Sequence, residues 1–152
     1  NVMLGALKAQ GTAVGILADR LLQSCTSKKY RDYLSKGDLV LISPYNPESG
    51  FNAGNAMGRN KYIYCMAESA IGIRSDRSGG TWNGAMENIK NKWIPLWVSP
   101  NQDPNTGNAT LVKKGGAWIR EENPEDINIS ELFKDKISQV LGKQQSFLDS
   151  TP

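Results

Sequence analysis

Asp38-Leu39-Val40-Leu41-Ile42-Ser43 sets four consecutive branched apolar residues between polar ends. A run this short and uniformly apolar reads as a strand buried on both faces, the mark of a parallel sheet covered by helices. Upstream, residues 27–34 (SKKYRDYL) read as a short helix closed near Gly37. Before it, residues 12–17 (TAVGIL) follow Gly11 as a second buried strand, and residues 2–7 form the tail of a helix with Leu4 and Leu7 on one face. Downstream, residues 44–58 form a long Pro-, Asn- and Gly-rich loop. Residues 59–70 repeat Ile63, Met66, Ala67 and Ala70 at helical spacing. A strand at 70–74, the tight turn Ser78-Gly79-Gly80-Thr81 and a helix at 82–92 follow, with Ala85, Ile89 and Trp93 on one face. Residues 94–98 are the next strand, with Pro95 at its start because proline donates no ladder bond.

A short strand is expected at 117–120. Asn128 and Glu131 form a capping box opening a last helix with Leu132, Phe133, Ile137, Val140 and Leu141 on one face, ending near Gly142. The alternation predicts an α/β, Rossmann-like three-layer domain with a mostly parallel sheet over residues 1–142, and a tail at 143–152. Ligands in such folds bind beyond the carboxyl ends of the strands.

The 152 residues fit one domain, and no apolar run approaches the ~20 residues of a membrane span. The opening residues lack a secretory-signal pattern. Histidine is absent, which excludes a Ser-His-Asp triad, a Cys-His dyad and His-ligated zinc within this chain. Cys25 and Cys65 form no CxxC pair and read as reduced packing residues, in keeping with a cytoplasmic protein. No metal or cofactor is called for. The net charge of +3 permits an anionic partner without demanding one.

Three constellations are candidates for phosphate binding. In Ser78-Gly79-Gly80-Thr81 the glycines admit close backbone approach, and the following helix N-terminus favours an anion. The competing reading is a strand–helix turn capped by Ser78 or Thr81. Arg59-Asn60-Lys61 sets two cations at an expected helix start, where they are mildly unfavourable unless an anion is recruited. Arg59 can fork two phosphate oxygens, and Lys61 acts as a point charge. Lys113-Lys114 add charge to the same rim or form a solvated turn. Tyr45 and Phe51 in the long loop are base-stacking candidates or loop anchors. Lys28-Lys29-Tyr30-Arg31 reads as a solvated basic face. Asp76 and Glu87 belong to no evident acid–base pair.

Four segments, in order, resemble the DprA/Smf (DNA-processing A) family. They are Gly11-Thr12 with the strand to Leu17; Phe51 with Arg59-Asn60-Lys61 and Ile63; Ser78-Gly79-Gly80-Thr81 with Ala85; and Gly107-Asn108, Leu111-Val112 and Gly116-Ala117. Lys61 stands where the family has a second arginine, and the family's opening Ser-Gly-Gly-Ala turn has no counterpart here. The resemblance implies single-stranded DNA binding, homodimerisation and delivery of DNA to a RecA-type recombinase. Its DNA- or phosphate-binding residues would be Arg59, Asn60, Lys61, Ser78, Gly79, Gly80, Thr81, Lys113 and Lys114. Two alternatives stay open: a nucleotide-sensing domain, and a nucleoside-monophosphate phosphoribohydrolase-like enzyme. Ser78-Gly79-Gly80-Thr81 with Glu87 loosely echoes the latter's signature.

Overall fold

The apolar run at 39–42 does form a strand, and its partner is parallel. In the computed structural model, which describes residues 2–101, 103, 105–120 and 128, β1 (Ala13–Ile16) pairs with β2 (Leu39–Ile42) in the register Ala13 to Leu39 through Ile16 to Ile42. A second, three-stranded sheet has the order β3 (Ala70–Gly72), β4 (Leu96–Val98), β5 (Ala117–Trp118), again parallel throughout. Every described strand pair is thus parallel, as expected of this α/β fold. The expected single sheet is instead two small ones, each in its own compact unit, Asn1–Ile63 and Tyr64–Pro152. The capping box and helix expected at 128–142 and the tail at 143–152 lie outside the described residues, Asn128 excepted.

In the first unit, α1 (Val2–Lys8) packs on the sheet through Leu7 and Met3. Gly15 lets them come close: a β-carbon there would stand 2.7 Å from the Leu41 side chain and 2.8 Å from the Met3 sulfur, so these side chains would have to shift. α2 (Leu21–Thr26) was not foreseen. It follows Arg20, which takes a left-handed conformation (φ 48°) and offers no conventional cap to read. α3 (Lys28–Lys36) ends on Gly37 at φ 80°, the expected glycine stop.

α4 (Ala53–Cys65) departs most from expectation, starting six residues before Arg59. The reason is local. Asn52 caps the helix, its Oδ1 accepting the Asn55 N–H at 3.0 Å. Two glycines inside the helix, which cost about 1 kcal/mol each against alanine, disguise it as loop. Gly58 earns its place by packing, since a β-carbon there would meet the Tyr45 hydroxyl at 2.8 Å.

In the second unit, α5 (Gly79–Asn91) and α6 (Asn108–Lys114) cover one face of the sheet. Ala85, Leu96, Val98 and Leu111 form the buried core there, with Trp82, Met86, Ile89 and Val112 packed around it. Val98 is fully buried on the central strand, so truncation there leaves a cavity as well as lost transfer energy. Asn88, also fully buried, closes the turn from α5 to β4. Its Oδ1 accepts the Ile94 N–H at 3.1 Å and its Nδ2 donates to the Ile94 carbonyl at 2.9 Å. Pro95 sits just before β4, where its carbonyl accepts the Ala70 N–H at 2.9 Å. α6 takes up Lys113-Lys114, where a solvated turn was one of the expected readings.

Candidate nucleic-acid interface

The carboxyl ends of β3 and β4 are joined by one side chain. Asn108 opens α6 and is 1% exposed. Its Nδ2 donates to the carbonyls of Ile73 and Ser99, each at 2.9 Å, and its Oδ1 accepts the Ser75 N–H at 2.9 Å. The preceding Gly107 donates its N–H to the Ser75 carbonyl at 2.7 Å. Only glycine fits at 107, because a β-carbon would stand 2.7 Å from the Trp82 ring and 2.8 Å from the Asp76 carbonyl. These contacts set the α6 start against the α5 start and the segment after β3. Sequence reading noted Gly107-Asn108 as a motif but not this role, since its partners lie 9 to 35 residues away.

The turn read from sequence stands at this edge. The helix begins at Gly79, so Gly79, Gly80 and Thr81 form its first turn rather than a loop before it. Gly79 has φ 89°, a conformation that favours glycine. Ser78 holds the N-cap position but makes no side-chain cap bond, and the first turn has no acidic residue. Ser78, Gly79, Gly80 and Thr81 are exposed, as is Arg77 before them. Arg74 forms an ion pair with Asp103 at 3.2 Å. A helix first turn that carries no acidic residue, with an exposed cation before it, favours an anion.

Lys113 and Lys114 are not part of this rim. They occupy the last turn of α6, and the glycine after them lies against Ile89, far along α5. The two helices start together and run the same way, which carries both lysines to the other end. There they complement the helix C-terminus instead.

Arg59, in the first unit, is likewise placed differently. It lies inside α4, so the expected conflict between cations and a helix N-terminus does not arise. One guanidinium nitrogen donates to the Ile16 carbonyl, the last residue of β1, and Nε is buried without a partner. Arg59 therefore anchors α4 to the carboxyl end of β1. Asn60 is half-buried, and Lys61 is exposed with its Nζ 5.0 Å from the Tyr62 ring centre. Phe51 is 70% exposed, whereas Tyr45 is half-buried beside Gly58.

Glu87 sits about 12 Å along α5 from its first residue, by the rise of a helix. It faces Tyr64 instead of the glycine turn. Burial first, and the Glu87 carboxylate second, raise the Tyr64 phenol above its ordinary value. The tyrosine ring also lies 6.3 Å from that of Trp93.

A family model described as DNA recombination-mediator protein A matches residues 1–131. No curated protein matches the chain. Among solved structures, the X-ray structure of DNA processing protein A from Streptococcus pneumoniae is similar, at TM-score 0.62 and 13% identity, covering 79% of this chain and 44% of that one. DNA processing protein A from Helicobacter pylori, whose structure concerns a unique single-stranded DNA binding mode, is similar at TM-score 0.60 and 17% identity, covering 83% and 56%. The chain thus spans about half the length of these relatives.

Three outcomes follow from the geometry. Asn108→Ala removes three hydrogen bonds and leaves buried backbone groups unpaired, so urea unfolding should show a loss of about 2–4 kcal/mol. Gly107→Ala should cost about 1–3 kcal/mol through the Trp82 clash, and a variant as stable as the parent would show the packing to be wrong. Tyr64 has a folded pKa above its unfolded value of about 10. Its contribution to stability is therefore complete below that pH and lost as pH rises through the folded value. Glu87→Gln should lower the Tyr64 pKa in a spectrophotometric titration of the phenol, and an unchanged titration contradicts the contact.

Proposed function

Because the chain belongs to the DNA recombination-mediator protein A family, we propose that it binds single-stranded DNA at the carboxyl edges of its parallel strands. The observation that carries this reading is the family match over residues 1–131. The geometry at Gly107-Asn108 and the glycine-rich first turn of α5, which carries no acidic residue, support it. Phosphates lie against Ser78-Gly79-Gly80-Thr81 with Arg77 beside them, while Lys61 and Asn60 serve the first unit's edge. Arg59 contributes charge there and holds β1 in place. Phe51 offers an exposed ring for stacking, worth about 1–3 kcal/mol per base. The protein works in the cytoplasm as a homodimer and passes DNA to a RecA-type recombinase. No described helix is long and apolar enough to cross a membrane.

The test is fluorescence anisotropy with a single strand of roughly 30 nucleotides, a length that spans several single-strand binding sites. Log affinity should fall linearly with log salt, by about 0.7 for each phosphate contacted. Arg77→Glu should weaken binding for all sequences alike and flatten that slope. Lys113→Glu with Lys114→Glu makes a larger charge change at the far end of α6 and should matter less. The reverse order moves the interface to that end, and absence of binding at low salt overturns the function. Arg59→Glu is a poorer probe, since it also breaks the bond to Ile16.

A further inference from the structure

The carboxyl edge of β1 and β2 carries a groove that no role above uses. It has a volume of about 320 Å³ and is lined by Arg20, Leu22, Gln23, Pro47, Glu48 and Gly50. That is the lower end of the size range of small-molecule sites. Its walls are the segment after β1 and the segment after β2, and they are braced to each other. The Arg20 N–H donates to the Ser49 carbonyl at 2.8 Å and the Leu22 N–H to the Pro47 carbonyl at 3.1 Å. On the second wall, Asn46 Oδ1 accepts the Glu48 N–H at 2.9 Å. Arg20 stands at φ 48° and ψ 38°, a conformation costly for a residue other than glycine. Backbone strain of this kind collects at ligand sites.

The chemistry of the lining is specific. Arg20 supplies a forked donor, Glu48 a forked acceptor and Gln23 one of each, around apolar surface from Leu22 and Pro47. Among the described residues, Arg20 and Glu48 form no ion pair with each other or with any other group. A phosphate would satisfy Arg20 and be repelled by Glu48. An amine would do the reverse. The groove calls for a flat group with an adjacent pair of acceptors and an adjacent pair of donors. Guanine has this pattern: N7 and O6 accept a bidentate arginine, and the N1–H and the N2 amine donate to a carboxylate. Adenine presents no adjacent pair of acceptors for arginine; unpaired cytosine has one, O2 and N3, but only its single amine for the carboxylate, and thymine has a single donor.

We propose that this groove holds a guanine base, with Arg20 on its O6/N7 edge and Glu48 on its N1/N2 edge. The proposal rests on the single-strand reading and adds a base preference to it. The same chemistry is shared by a guanine within a strand and by a free guanine nucleotide. We assign the former, because Phe51, one residue past Gly50 of the lining, is exposed to stack the neighbouring base.

The experiment compares a thymidine strand of roughly 30 nucleotides with the same strand carrying isolated guanines, and adds GMP in a separate titration. Guanines should tighten binding about tenfold, the discrimination of one good bidentate pair. Arg20→Lys, which keeps the charge and loses the fork, and Glu48→Gln, which keeps the shape and loses the charge, should each remove that gain while leaving affinity for the thymidine strand unchanged. Equal binding of the two strands overturns the guanine assignment and leaves single-strand binding standing. Binding of neither strand overturns the function itself. GMP that binds with the same dependence on Arg20 and Glu48, while guanines in the strand give no gain, assigns the groove to a free nucleotide and also overturns the proposal.

Discussion

The carboxamide of Asn108 is the constraint on which the second unit's carboxyl edge depends. Two short parallel strands, β3 and β4, end beside each other, and parallel strands leave their terminal carbonyls pointing into loops. Asn108 takes up two of those carbonyls and one N–H. All three of its bonds go to backbone, so the loops are fixed whatever their side chains are. Remaining surface residues there are then free to serve a ligand. An apolar residue at 108 would leave those backbone groups buried and unpaired, and aspartate would lose both donors.

The two units solve the same problem in different ways. At β1 the free carbonyl of Ile16 is taken by the guanidinium of Arg59, a cation from a helix interior. At β3 and β4 a neutral amide does the work. The first solution brings charge to the edge but commits part of it to structure. The second brings none, and the positive end of α5 and Arg77 supply the positive potential.

Much of the fold was legible because parallel strands are plain apolar runs, although β1 and β2 are not buried on both faces as expected, since Val14 and Val40 are exposed. The strands at 13–16, 39–42 and 96–98 lie inside the segments expected from sequence, and every described pairing is parallel. Helices were harder. α2 has no readable cap, and α4 hides behind Asn52 and two glycines. α6 is a seven-residue helix whose start is fixed by distant backbone. The turn at Ser78-Gly79-Gly80-Thr81 was legible as a glycine-rich helix entry and lies where expected. Arg59 and Lys113-Lys114 were misplaced for the same reason. Helix boundaries decide which end of an element a residue occupies, and those boundaries were off by a turn or more. Asn88 and Asn108 gave no periodic signal, because their roles lie in contacts and not in spacing.

The central claim is that the anion-binding surface is the carboxyl edge of the strands. It is tested most directly by backbone amide exchange with and without a saturating single strand. The N–H groups of residues 75–81 and 105–108 should gain protection, while those of Lys113, Lys114 and β5 stay unchanged. Protection centred on the last turn of α6 and β5, with the residues at 75–81 unaffected, would contradict the account.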